Sequence, residues 1–244
     1  MPRPELQFSK KRVRKAGEIL RSMSITPDQI EEVAEALTIA ENWRACHSYA
    51  LQRATMGLRS RVMTSTGERG DVSQRLKRIV TIIDKLHREP TMKLDTMRDI
   101  AGCRAVVPTV GAVRLVQRQW QKSFQADRIL RVNDYIKSPR SSGYRAVHLY
   151  VIYDDLPVEV QIRSHLQHAW AITLEQIGGR LGFDLKSGRG PQEILDYFAL
   201  VAEAMAIDES GDDVSRELAV SIKAARLKIQ PFLESTQHPP TSSR

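Results

Sequence analysis

The chain has 244 residues, 41% of them hydrophobic, which is enough for one sizeable core with a helical appendage. No apolar run approaches the length of a membrane span, and MPRPELQFSKKRVRK lacks the apolar stretch of a secretory signal, so membrane and secreted classes are not expected. The two cysteines, Cys46 and Cys103, make neither a disulfide framework nor a metal pattern; they are expected to be reduced core residues of a cytoplasmic protein. The formal net charge of +8 is uneven. Residues 1–21 hold seven Lys/Arg against two acids, residues 114–145 eight against two, and residues 191–217 one Arg against eight acids. That asymmetry points to a basic half that meets phosphates, or to ordinary solubility charge.

In chain order, residues 9–22 form a short basic helix whose charges could touch RNA or solvate a helix face. Thr26-Pro27-Asp28-Gln29 is a helix start, with Thr as cap and Pro at the first helical position. The helix runs to about Val62, with a break near Ala45–Ser48 conceivable, and Gly67–Gly70 is a loop. Asp71 or Ser73 opens the next helix, with Leu76, Ile79, Val80, Ile83 and Leu86 inward. Arg75, Arg78, Thr81, Lys85 and Arg88 recur at three- and four-residue spacing, a cationic stripe suited to phosphates or to solvent. A strand follows over residues 99–107. A helix then runs from Val110 to Phe124 with Val113, Leu115, Val116 and Trp120 inward, before a strand from Asp127 to Ile136. Helices are expected over residues 164–178, 191–209 and 213–234, with a disordered tail from residue 235. His165 and His168 lack a second ligand pair and are not expected to hold a metal.

Residues 133–163 are the most informative stretch. Alternation from Gly143 puts Tyr144, Ala146 and His148 on one face and Val147, Leu149 and Val151 on the other. After a tight turn, Val158, Val160 and Ile162 share a face, opposite Glu159, Gln161 and Arg163. A ring, an imidazole, a carboxylate, an amide and a guanidinium in one row are the groups a nucleotide site needs. A solvated sheet face with a Glu/Arg pair is the alternative.

Four pieces in order resemble the synthetase domain of the RelA/SpoT family, the enzymes that make (p)ppGpp. Arg75-x-Lys77, Thr81 and Lys85 resemble its basic ATP-phosphate segment; Asp99-Ile-Ala-Gly-x-Arg104 resembles its D-[IL]-x-G-x-R strand. Asp134-Tyr-Ile-x-x-Pro-Arg140-x-x-Gly-Tyr144-x-x-x-His148 resembles its acceptor loop, and Glu159-Val-Gln-Ile-Arg163 its E-x-Q-I-R strand. The chain thus resembles a single-domain small alarmone synthetase. The resemblance implies an α+β fold of nucleotidyltransferase type: a mixed, largely antiparallel sheet of about five strands flanked by helices. It implies an N-terminal helical region at 1–64, a synthetase core at 65–190, packing helices at 191–234 and a tail at 235–244. The family's hydrolase half needs a metal-binding His-Asp motif that does not occur here, so product hydrolysis is not expected.

The implied reaction moves the β,γ-pyrophosphate of ATP to a 3′-hydroxyl of a guanine or other purine nucleotide. Asp99 and Glu159 would be the catalytic pair holding Mg²⁺, with general-base work an open alternative for Glu159. Arg75 and Arg104 would clamp the adenine, and Lys77, Thr81, Lys85 and Arg88 the triphosphate. Tyr144 would stack on the acceptor base; Lys137, Arg140, His148, Gln161 and Arg163 would meet its sugar and phosphates or steady the carboxylates. Asp99 and Arg104 are five apart, so alternation puts them on opposite faces unless Asp99 precedes the strand or a bulge sits near Gly102. Asn133, Arg140, Ser142 and Thr81 depart from the family pattern. Some small members are toxins, so a tRNA 3′-end pyrophosphokinase paired with a protein antitoxin is a second reading; a non-catalytic nucleotide- or RNA-binding relic is a third. The last helix could pair with another copy of the chain or cover its own sheet.

Overall fold

The computed structural model describes all residues except 1–3, 23–28, 124–127 and 236–244. The expected cap at Thr26–Asp28 and the tail fall outside the described residues. The chain forms a five-stranded sheet of order β1-β2-β5-β4-β3, with α-helices before, between and after the strands, an α+β architecture. Two compact units are present. One comprises residues 1–105, 116–132 and 148–161; the other comprises residues 106–115, 133–147 and 162–244.

In the first unit, α1 (Lys10–Arg21) is capped by Ser9, whose side chain accepts the Arg12 N–H, and buries Val13, Ala16, Gly17 and Leu20. Its three arginines are engaged within the unit. Arg14 grips Asp95 with Nη2 at 2.7 Å and Nε at 3.2 Å, Arg12 pairs with Glu35, and Arg21 donates to the Leu86 and Met92 carbonyls. Helix α2 (Ile30–Thr66) is continuous, without the break conceived near Ala45–Ser48. Trp43 and His47 stack edge to face there at 5.0 Å, and His47 Nδ1 donates to the Trp43 carbonyl at 2.8 Å. Burial lowers the His47 imidazole to about 4, so it is a neutral core group. Gly67, at φ 73°, ends the helix with its N–H on Met63 O.

The next segment corrects the sequence expectation. Residues Asp71–Leu76 are strand β1 at the sheet edge, and α3 is confined to Ile79–Arg88. Ladder bonds to β2 outweigh the weak helical preference of six mostly exposed residues. The helix phase therefore differs from expectation: Ile82 and Leu86 are buried while Val80 is 70% exposed. Strand β2 is Ala101–Val107 and helix α4 is Val110–Ser123. Val113, Val116 and Trp120 are buried as expected, but Leu115 is 45% exposed because it falls off their shared face. Strand β3 is Ile129–Asp134. Strands β4 (Val147–Tyr153) and β5 (Leu156–Ser164) are joined by Asp154 and Asp155, at φ 50° and 61°, the left-handed pair of a two-residue hairpin turn.

In the second unit, Ser164 and Gln167 form a capping box that starts α5 (His165–Leu181). Helix α6 (Gln192–Ser210) begins after Pro191, and α7 (Arg216–Ser235) follows Gly211. Tyr144, Ala146, Trp170, Leu174, Phe198 and Ile229 make one apolar cluster. Trp170 Nε1 donates to Phe198 O at 2.9 Å, which satisfies the buried indole.

Gly17 gives a test of the α1 docking. A Cβ built there would sit 2.6 Å from Leu94 Cβ and 3.3 Å from Leu94 N. Gly17→Val should lower unfolding free energy by about 1–3 kcal/mol in a urea titration, despite improved helix preference. Unchanged stability would show that α1 does not pack this closely.

Candidate active site

Asp99 lies in the turn ahead of β2, not within it. That placement removes the parity conflict with Arg104, which is half-buried on β2 with Nη2 3.4 Å from Ser73 Oγ. Lys77, between β1 and α3, and Lys85, on α3, each donate from Nζ to Asp99 Oδ2 at 2.9 Å. Asp99 Oδ1 is buried with no hydrogen-bond partner. Burial pushes this carboxyl up, but the two ammonium groups outweigh it and hold the group below its ordinary range.

The Lys77 backbone is pinned on both sides. Its N–H donates to Ile100 O at 2.8 Å, and its carbonyl accepts Arg44 Nε from α2 at 2.7 Å. Arg44 was not singled out by the sequence, because its contact is backbone-directed and 33 residues distant. The expected cationic stripe is divided by the fold. Thr81, Lys85 and Arg88 belong to α3, whereas Arg75 is exposed on β1.

On β5, Glu159 collects three donors from the same unit. Oε1 accepts His148 Nδ1 at 3.0 Å and Tyr150 Oη at 2.8 Å; Oε2 accepts Gln161 Nε2 at 2.7 Å. Burial works to raise its pKa, and the bonds from His148, Gln161 and Tyr150 reverse the effect, leaving Glu159 well below the carboxylate range. Of the polar row read from alternation, His148, Glu159 and Gln161 form a bonded cluster. Tyr150 was missed, although it shares the parity of His148 on β4. Glu159 sits beside Gly102, whose built Cβ would lie 3.7 Å from Glu159 O, so β2 and β5 carry the motif residues side by side.

The second unit holds the residues that resemble the family's acceptor loop. Asp134 Oδ1 accepts the N–H groups of Ile136 (3.1 Å) and Lys137 (3.0 Å), and its carboxylate takes both Arg114 amino groups at 2.5 and 3.1 Å. Burial raises and these donors more strongly lower its pKa. The loop is fixed by Gly143 N–H on Arg140 O (2.8 Å) and by Gly143 itself, at φ 85° and tight against Ala202.

Tyr144 does not offer the open stacking surface expected of it: it is 0% exposed, in the apolar cluster with Trp170. Arg163, also fully buried, donates from Nη2 to Tyr144 Oη at 2.9 Å instead of joining Glu159 and Gln161. Two of the departures from the family pattern meet on one phenol, where Asn133 Nδ2 and Arg140 Nη2 donate to Tyr135 Oη at 3.2 and 3.0 Å. Ser142 Oγ donates to Lys186 O at 3.1 Å, and Lys137 is exposed.

Among the described residues, no group of three or more His, Cys, Asp or Glu is gathered for a metal. The donor chemistry still fits a hard divalent cation. Asp99 Oδ1 is an unpartnered carboxylate oxygen, and such ions take few protein ligands when phosphates and water fill the rest. Glu159 has about four lone-pair positions and three donors, which leaves room for one more.

The depressed carboxylates fix a pH signature. Glu159, ordinarily near 4.5, adds stability that is complete above that value and is lost as pH falls through its lower folded value. Glu159→Gln should cost about 1–3 kcal/mol near neutral pH and less at about pH 3, by urea midpoints. Parallel wild-type and variant curves would contradict the cluster.

Comparison with known proteins follows the same residues. Residues 74–176 match the family model described as a region found in RelA/SpoT proteins. GTP pyrophosphokinase YjbM of Bacillus subtilis is 28% identical over 160 residues, covering 60% of this chain and 72% of that protein. GTP pyrophosphokinase YwaC of the same organism is 29% identical over 161 residues, covering 59% and 72%. The crystal structure of small alarmone synthetase 2 from Bacillus subtilis aligns at TM-score 0.58 and 23% identity, over 70% of this chain and 94% of that one. Small alarmone synthetase 1 bound to its product pppGpp aligns at TM-score 0.57 and 21% identity, over the same shares. The fold is that of these synthetases.

Proposed function

Residues 74–176 match the RelA/SpoT region, and on that likeness we propose that the protein is an ATP-dependent pyrophosphokinase. It transfers the β,γ-pyrophosphate of ATP to the 3′-hydroxyl of GDP or GTP, forming a (p)ppGpp-type alarmone and releasing AMP. The observation that carries this reading is the buried Asp99 carboxylate gripped by Lys77 and Lys85, inside the matched region.

Phosphoryl and pyrophosphoryl transfer ask for positioning and charge neutralisation more than for covalent chemistry. Lys77 and Lys85, with Thr81 and Arg88, supply cations and a hydroxyl to the triphosphate. Arg75 and Arg104, on neighbouring strands, supply planar guanidinium groups for the adenine. Mg²⁺, held by Asp99 and Glu159, would neutralise charge on the transferred phosphates. As phosphates draw the two lysines away, Asp99 gains the use of both oxygens. Glu159, kept ionised by three donors, is a weak proton acceptor near neutral pH; its role is to receive one further bond, from the ion or from the 3′-hydroxyl. His148, Tyr150 and Gln161 orient it. In the second unit, the exposed Lys137 and Arg140 serve the acceptor's phosphates, and the buried Tyr144–Arg163 pair supports the loop that carries them. Residues 65–190 carry these groups, with helices before and after as their support.

The tRNA reading loses some support from α1, where Arg12, Arg14 and Arg21 are bonded inside the unit, although Arg12 and Arg14 are exposed together with Lys10, Lys11 and Lys15. AMP release with ATP, Mg²⁺ and, separately, GDP, GTP, ADP or deacylated tRNA tests the assignment. GDP or GTP should support release. Release with tRNA alone would replace the acceptor assignment, and release with none would overturn the function. Asp99→Asn and Glu159→Gln should each lower the rate at least about 10²-fold with the fold retained by circular dichroism. Lys85→Met should raise KM for ATP about tenfold or more and leave the acceptor KM unchanged; equal changes in both would contradict its place on the triphosphate.

A further inference from the structure

The loop that carries Lys137 and Arg140 leans on α6. Gly143, at φ 85°, lies so close to that helix that a Cβ built on it would meet Ala202 Cβ at 2.7 Å. Beside this contact the loop and α6 frame an open cavity of about 410 Å³. Gly143 and Arg145 line one side of it, and Ala199, Ala202, Glu203 and Ala206 the other. The alanines, three and four residues apart, present short apolar side chains on one helix face; Glu203 stands on the same face, exposed to solvent. Arg145 is half-buried, and its Nε is enclosed with no hydrogen-bond partner. A guanidinium nitrogen held in this way is costly unless an acceptor reaches it. Glu209, which lines a small recess next to Arg145, is engaged with Ser164 Oγ and Gln167 Nε2 at the start of α5.

Resting on the pyrophosphokinase reading, we propose that this cavity holds the guanine of the acceptor nucleotide, with Arg145 and Glu203 as its specificity-determining residues. The match is one of donors and acceptors. Guanine presents two acceptors, O6 and N7, along one edge, which suit a guanidinium. On the neighbouring edge its N1–H and 2-amino group are donors, which suit a carboxylate. The flat ring lies along the alanine face, an apolar wall with the few polar groups that fix orientation. Adenine is mismatched on both edges: its 6-amino donor faces Arg145, and its N1 acceptor faces Glu203. The surrounding charge suits a base and not a polyphosphate, because residues 191–217 hold eight acids against one Arg. The phosphates go instead to the exposed Lys137 and Arg140 on the loop. The base thereby gains a place that the fully buried Tyr144 ring does not offer.

The test is AMP release from ATP with Mg²⁺ and, separately, GDP, xanthosine diphosphate or ADP as acceptor. Xanthine carries a carbonyl oxygen where guanine has its 2-amino group. Wild type should prefer GDP to either of the others by at least about tenfold in kcat/KM. Glu203→Gln offers an amide donor to the xanthine oxygen while still accepting from N1–H. It should raise kcat/KM for xanthosine diphosphate, lower it for GDP, and so move their ratio by about tenfold or more. Arg145→Gln should raise the GDP KM about tenfold and leave the ATP KM unchanged. Glu203 is exposed, so its variant carries the test even where Arg145→Gln does not fold. Wild type that uses GDP while Glu203→Gln leaves the ratio unmoved would overturn the guanine site alone. ADP serving as well as GDP, or the KM values for ATP and GDP rising together in Arg145→Gln, would do the same. No AMP release by wild type with any acceptor would overturn both the site and the reading beneath it.

Discussion

Two ammonium groups on one carboxylate oxygen, Lys77 and Lys85 on Asp99 Oδ2, are the contact that the first unit is built to hold. Neither lysine could keep that position on side-chain preference alone, since a lysine loses rotamer freedom when fixed. The surrounding elements supply the constraint. Arg44 from α2 and Ile100 pin the Lys77 backbone. Helix α3, which carries Lys85, is seated by Ile82 and Leu86, and α1 grips its end through Arg21 on Leu86 O and through Leu20 O, which accepts His87 Nε2 at 3.0 Å. The N-terminal helices thus fix, at a distance, where two positive charges stand. The same charges hold the Asp99 carboxyl below its ordinary pKa against the upward push of burial.

The second unit uses cations differently. Around Tyr144 they face an aromatic quadrupole, and only Arg140 among the three is exposed. Three of the four side chains at which this chain departs from the family pattern, Asn133, Arg140 and Ser142, bond within this region. Substitution there changes how the loop is fastened as well as which groups a ligand meets. Asp134, by contrast, shapes the loop through backbone N–H groups and Arg114.

Much of this was legible because the informative residues are close in sequence and their spacing has a period. Glu159 and Gln161 share a strand face, as do His148 and Tyr150 on the partner strand, and the structure joins them in one hydrogen-bonded cluster. The placement of Asp99 ahead of β2 was one of two solutions to a parity conflict visible in the sequence. What was not legible depends on partners far along the chain. Residues 71–76 become a strand through pairing with β2, a preference that a local window does not contain. That single change moved Arg75 off the helix and shifted the buried face of α3 to Ile82 and Leu86. The covering of Tyr144 arises from Arg163 and Lys186, 19 and 42 residues onward, which spacing rules do not reach.

Transfer of a pyrophosphoryl group as a unit is measured directly by parallel reactions with β-labelled and γ-labelled ATP and unlabelled GDP. Both labels should appear on the guanine nucleotide product in equal amounts, matched by AMP. Transfer of γ-label alone with ADP as co-product, or release of either label as free phosphate with none on the acceptor, would contradict it.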